Sequence, residues 1–234
     1  MNKSKNLYFY LAVVPALVFQ FVGAYFYLVA YEGTEFAQIF YTCTKLLLVI
    51  WPLIWIYWLR SRFLPFFRGD VRRSLVMGAV SGVVIFLGAG GLYFLMADFL
   101  GSFGGKIALA AQGLGILEHY ILFSIFLSVG HSFIEEYYWR WFVLNGLMMK
   151  MGRSAAIVVG SLAFASHHFI VVIQFAPLHL TIIATAVIFL LGVYWSKLYL
   201  DTKSIAGSWL SHFMADAIVM GIGYFLIAQS GLFA

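Results

Sequence analysis

Glu135-Glu136 with Arg140, His167-His168, and His212 with Asp216 are groups capable of acid–base chemistry, and each sits inside a stretch of apolar residues. A charge near the centre of a bilayer costs at least about 2.5–3.5 kcal/mol, so such groups are expected to face one another or a wet cavity. Glu136 and Arg140 are four apart with the acid first, the favourable order for an ion pair on one helix face. That pairing leaves Glu135, in a low-dielectric cavity beside a guanidinium, as a candidate general base. A neutralised cluster that only locks helices together would use the same residues.

His168 follows Phe164 by one helical turn, so the two share a face. Ala163, Ala165 and Ser166 let a neighbouring helix approach closely. On that spacing His168 is expected in the site and His167 is expected to point elsewhere. His212 and Asp216, again four apart, present an imidazole and a carboxylate on one face, where the acid can fix the tautomer of the ring. Counted from Lys150, Arg153 and Lys203 at about 1.5 Å per residue, Glu135, His168 and Asp216 lie roughly 20 Å deep, and His212 roughly 13–14 Å. Groups at a shared depth on three helices can converge, and each would otherwise carry its own desolvation cost.

These groups need helices to hold them in a membrane. Of 234 residues, 64% are hydrophobic and only 10% are charged, and the mean hydropathy is +0.97. So little charge does not cover a soluble domain of this size. The expected fold is all-α, a single polytopic helix bundle over 1–234 with its motif-bearing core at about 112–228. With about 20 apolar residues per crossing, six spans fall at roughly 7–30, 36–59, 75–97, 154–175, 179–197 and 204–228. The stretch of about 112–149 is too long for one straight crossing, and Gly113, Gly115 and Gly130 offer places to break it into an interfacial piece and a tilted or kinked span.

Charge sets the expected orientation. Lys3, Lys5, the five arginines between Arg60 and Arg73, Lys150, Arg153, Lys197 and Lys203 fall on one side of a seven-span chain; Glu32, Glu35 and Asp98 fall on the other with Lys106. That bias places the N-terminus in the cytoplasm, with the first span an uncleaved anchor. It also accounts for the net charge of +5 without nucleic acid as a partner. The basic and aromatic run from Arg60 to Arg73 is either a topology-setting loop or a surface segment for acidic lipid. Cys43 is the sole cysteine, which excludes an internal disulfide and a thiol-pair metal site. Lys45 lies within the second span, where it either snorkels or pairs across the bundle. His131, one turn before Glu135, is a candidate supporting group; Glu118, His119 and His179 read as interfacial or solvated.

Glu135-Glu136-Tyr-Tyr-Trp-Arg140, Phe164-Ala-Ser-His-His168 and His212-Phe-Met-Ala-Asp216 together resemble the CAAX protease and bacteriocin-processing (CPBP, or Abi) family of intramembrane proteases. That family carries Glu-Glu-x-x-x-Arg, Phe-x-x-x-His and His-x-x-x-Asn/Asp in this order on successive membrane helices. The likeness covers about residues 130–220. It implies that Glu135 activates water for attack on a peptide carbonyl with His168 assisting. It further implies that His212 and Asp216 bind or support the oxyanion, and that Glu136, Arg140 and Phe164 shape the site. The implied substrate is a membrane-anchored or lipidated peptide or protein, cut without a metal cofactor. The compact chain looks like a prokaryotic, inner-membrane member.

Two alternatives remain open. Glu135, His168 and His212 would suit a catalytic zinc with one position left for water, although His-Glu-x-x-His is absent. A non-catalytic membrane chaperone or immunity-type protein, or a proton-coupled carrier, would also retain buried charge, although no internal repeat is present. Where the family has Asn, an amide can donate a hydrogen bond; an ionised Asp216 cannot. Asp216 is therefore expected to orient His212 or to be protonated. Asp216→Asn is expected to lower turnover, and full retention of peptide cleavage would show that the carboxylate itself is dispensable.

Overall fold

The computed structural model of the chain describes residues 7, 9–59 and 66–231. Lys3, Lys5, Arg60 and Arg62, which carry part of the orientation argument, lie outside the described residues. A backbone in hydrocarbon must satisfy its own hydrogen bonds, and a helix does so within one segment. The elements follow: α1 (Phe9–Ala30), α2 (Glu35–Leu59), α3 (Val71–Leu95), and the single turn α4 (Ala97–Gly101). Then come α5 (Gly104–Gly113), α6 (Leu117–Met148), α7 (Arg153–Val172), α8 (Leu178–Thr202) and α9 (Ala206–Gln229). Seven of them, all but α4 and α5, are long and apolar enough to cross a membrane. The chain is an all-α, multi-pass integral membrane protein.

The long stretch before α7 breaks at the first of the glycine sites, into a short helix and one long span. Helix α5 stops at Gly113, and Gly115 takes the left-handed φ of 68° that a side chain resists. No break occurs at Gly130. A glycine costs a helix only about 1 kcal/mol, whereas an interruption within the bilayer strands several backbone groups. Instead, α6 widens to i→i+5 turns over Phe126–His131 and again over Tyr137–Val143. Such widening is frequent at functional sites.

The chain divides into two compact units, one made of residues 1–70 and 134–205, the other of 71–133 and 206–234. In the first, α7 packs along α8 and α1, and two tyrosines of α6 reach the opening helices. Tyr137 donates to the Val49 carbonyl of α2 at 3.2 Å, and Tyr138 to the Ala16 carbonyl of α1 at 2.7 Å. Asn145 donates to Tyr199 of α8 at 2.8 Å. The described end of the basic segment is tied down by backbone bonds from Gly69 to Lys203, from Asp70 to Thr202 and from Ile205 to Phe66, at 2.9–3.1 Å. The Phe66 ring meets Trp141 edge-on at 5.0 Å. This part of the segment is an anchored loop.

In the second unit, α3 and α9 approach until backbone meets backbone. The Gly207 amide donates to Ser74 Oγ at 2.9 Å. A Cβ on Gly207 would stand 1.9 Å from the Ser74 carbonyl oxygen. Small residues permit this approach, which drives helix association where lipid tails cancel the hydrophobic effect. Gly207→Ala is expected to destabilise by at least about 1–3 kcal/mol in thermal unfolding of the detergent-solubilised protein. Gly221→Ala, where a Cβ meets nothing within 4 Å, is expected to be near neutral.

Candidate active site

Helix α6 is buried on every side from Glu135 to Leu144, as a helix enclosed by others must be. The Glu136–Arg140 pair forms as the spacing predicts, with Arg140 Nε 3.2 Å from a Glu136 carboxylate oxygen and both side chains fully enclosed. Two rings receive the rest of the guanidinium: its central carbon lies 4.7 Å from the centre of Phe164 and 5.6 Å from that of Trp195. A cation over a desolvated aromatic face gains about 2 kcal/mol. Arginine suits this position because its planar, weakly hydrated head stacks.

Glu135 turns to α7. His167 Nε2 stands 3.3 Å from a Glu135 carboxylate oxygen, and both side chains are nearly inaccessible. The His167 ring lies parallel to Trp139, with centroids 5.9 Å apart, and meets Phe164 edge-on. This corrects the expectation that one histidine of the doublet points away. Adjacent helical side chains diverge by about 100°, yet the two imidazoles lie 4.0 Å apart centre to centre. Ligand atoms of Glu135, His167 and His168 all lie within 4.8 Å of one another. The imidazole is long enough for both rings to bend toward a carboxylate standing between their two directions.

The tautomer of His168 follows from its partner. Its Nδ1 lies 2.9 Å from the Phe164 carbonyl oxygen. A carbonyl only accepts, so Nδ1 carries the proton and Nε2 keeps its lone pair. Half-buried His168 thus offers a base or ligand nitrogen beside Glu135, with the Phe164 ring 4.6 Å from its own. Phe164 touches both histidines and Arg140 and is the common wall of the cluster.

His212 and Asp216 belong to the second unit, described by itself. There His212 is buried, with Nε2 3.6 Å from an Asp216 carboxylate oxygen. The donor set that assembles within the first unit is Glu135, His167 and His168; the zinc set read from the motif order has His212 in place of His167. The second unit also holds an apolar groove of about 350 Å³ whose lining, including Tyr120, Phe213, Met220 and Tyr224, contains no acid and no imidazole. Glu118, His119 and His179 are exposed.

Spacing did not reveal Gln20, Thr44 or the hydroxyls of Tyr137 and Tyr138, since uncharged polar and aromatic residues are ordinary in bilayers. Gln20 had a usable signal, being the one amide side chain within the apolar run of α1.

A polytopic helical membrane protein that encloses a glutamate, two imidazoles and a compensated ion pair inside one helical unit has the ingredients of a hydrolase working within the bilayer. Residues 117–218 match the model of a family described as "Rce1-like: Type II CAAX prenyl endopeptidase Rce1-like". The resemblance read from the three motifs is borne out: the segment that carries them matches the model of this CAAX protease family. No curated protein and no solved structure matches the chain.

Removing one partner of a buried ion pair leaves a bare charge and costs about 3–5 kcal/mol. Arg140→Leu is therefore expected to destabilise strongly, and Glu136→Leu with Arg140→Leu to lose less than the sum of the two single changes. A double-mutant cycle of unfolding midpoints in detergent checks this.

Proposed function

We propose that the protein is an intramembrane endopeptidase that hydrolyses a peptide bond close to the membrane in a membrane-anchored or lipidated substrate, with Glu135 as the base. The observation that carries the reading is the buried Glu135–His167 contact at 3.3 Å, with His168 alongside. Hydrolysis needs a base to take a proton from water, and donors aimed at the oxyanion that forms on the carbonyl. Glu135 takes that proton as the water oxygen bonds to the carbonyl carbon, then returns it to the leaving amine as the C–N bond breaks. His167 donates Nε2–H to the carboxylate and orients it. His168 Nε2, with its lone pair available, accepts from the water and holds it in line.

His212 and Asp216 are assigned by motif order to the oxyanion. In this assignment Asp216 fixes the ring of His212, since an ionised carboxylate has no proton to donate. By the positive-inside rule the N-terminus is cytoplasmic.

One observation favours a second reading of the same residues. Glu135, His167 and His168 offer three ligand atoms within 4.8 Å of one another. That number suits a catalytic zinc, which would supply Lewis acidity and an activated water. His168 has the lone pair on Nε2 that a ligand needs.

The test is cleavage of quenched peptides, prenylated and unprenylated, by the purified protein in detergent or liposomes. Glu135→Gln is expected to lower kcat by about 10²–10⁴-fold while the protein stays folded, and chelator is expected to leave the wild type active. Chelator-sensitive activity restored by zinc would transfer the site to the metal reading. Absence of cleavage by folded wild type, or a cellular phenotype that survives Glu135→Ala, would favour a non-catalytic chaperone, immunity-type protein or carrier.

A further inference from the structure

Most cations of the first unit are answered within it. Arg140 has Glu136, and Arg153 at the start of α7 pairs with Asp201 near the end of α8. Lys45 of α2 donates to Gln20 Oε1 of α1 at 3.0 Å, and Gln20 is held in turn by donating through Nε2 to the Thr44 carbonyl at 3.0 Å. The Lys150 ammonium lies 6.0 Å from the centres of the Phe9 and Tyr10 rings, within reach of a cation–π attraction. Arg68, Lys197 and Lys203 differ. All are exposed, and among the described residues none of their side chains has an ion-pair or hydrogen-bond partner.

The fold sets two of these free cations side by side. An antiparallel bridge joins Phe67 to Ser204, which brings Arg68 next to Lys203 in register, and the Gly69 amide donates to the Lys203 carbonyl at 3.1 Å. The approach needs a glycine: a Cβ at position 69 would stand 1.8 Å from the Thr202 carbonyl oxygen and 2.6 Å from Lys203 Cβ. Lys203 caps α8 in the left-handed conformation, at φ 56°, where glycine or asparagine is usual. Among the described residues it is the only non-glycine with a positive φ. Like charges opposed across such a pairing repel. The α8 dipole offsets them with the equivalent of roughly half a negative charge against two positive ones. The neighbouring carboxylates are already engaged, Asp201 with Arg153 and Asp70 in contacts of its own.

We propose that Arg68 and Lys203 form a binding site for the phosphate of an acidic phospholipid headgroup. The pair stands where a span ends: Thr202 closes the 25-residue span α8, so Lys203 lies at the level of the headgroups. Phe67, on the same segment as Arg68, is 43% exposed, an apolar neighbour suited to the boundary between headgroups and acyl chains. Arg68 offers a planar fork to two phosphate oxygens, and Lys203 a point charge. A zwitterionic headgroup brings its own cation and leaves the pair in excess, whereas an acidic one neutralises it. The bound lipid then ties the segment that precedes α3 to the end of α8. The described part of the basic and aromatic run thereby acquires a ligand, independently of the Glu135 cluster and of the protease reading.

The purified protein is titrated in detergent with phosphatidylglycerol or phosphatidylcholine of identical chains, and bound lipid is counted by native mass spectrometry. The wild type is expected to prefer the acidic lipid by about tenfold or more, and by less as salt is raised. Arg68→Gln and Lys203→Asn are each expected to lower that preference by about fivefold; asparagine is chosen because it accepts the left-handed conformation. Lys197→Gln, which removes an equally free cation from α8, is expected to leave it within about twofold. Arg68→Gln lies on an exposed segment and tests the site even where Lys203→Asn disturbs the cap. A wild type without the preference, or a Lys197→Gln variant that loses as much as the other two, overturns the proposal. Inorganic phosphate displacing phosphatidylglycerol at equal concentration would make this a free-anion site. Tighter binding of a soluble acidic peptide, lost in the same two variants, would assign the pair to a peptide tail. Either result overturns the lipid assignment, and none of these readouts depends on cleavage of a substrate.

Discussion

An unpaired charge does not persist in hydrocarbon, and the architecture of the first helical unit follows from that constraint. Glu135, Glu136 and Arg140 are on one helix and all buried. Each must be answered by a neighbour, because an isolated buried ion costs several kcal/mol even after relaxation. Arg140 is answered twice, by the Glu136 carboxylate and by the faces of Phe164 and Trp195. The aromatic wall is thus part of the electrostatics as well as the packing. Phe164 then also sets the place of both histidines, so the charge balance of α6 and the ring positions of α7 are one problem with one solution.

The two imidazoles of the doublet differ in their surroundings. His167 is enclosed and committed to a carboxylate, while His168 is half-buried with one nitrogen spent on its own helix. A fixed ring and an available ring, side by side at one acid, suit a reaction in which one group must stay still and another must handle a mobile water. His212 and Asp216 repeat the acid–imidazole theme on α9 in looser form, at 3.6 Å and with the acid partly exposed.

Hydropathy made the seven spans legible, because in a bilayer the length of an apolar run is the structure. The i,i+4 rule likewise made the Glu136–Arg140 and His212–Asp216 pairs readable. What failed was resolution within a turn. Spacing from Phe164 singles out His168, but the choice between neighbouring rings depends on side-chain reach, and both came to Glu135. Gly130 lies inside a continuous helix, because broken backbone bonds in lipid cost more than a glycine in a helix. Gln20 and the two tyrosine hydroxyls stayed hidden because their value is relational: each matters only through a carbonyl or ammonium on a helix distant in sequence.

The first unit is discontinuous in the chain, with residues 1–70 completed by 134–205. Helices α1 and α2 therefore leave the ribosome well before α6. At roughly 5–20 residues per second they wait on the order of several seconds. During that interval the Gln20–Lys45 and Gln20–Thr44 bonds, with the bond from Trp51 Nε1 to the Ala12 carbonyl, are polar contacts the first hairpin can make alone. The close seat of Gly23, where a Cβ would come within 2.3 Å of Thr44 Oγ1, lets the two helices make them. The amide that orients a lysine in the finished protein thus doubles as an assembly aid, keeping a cation-bearing hairpin in the bilayer until α6 arrives to bind it.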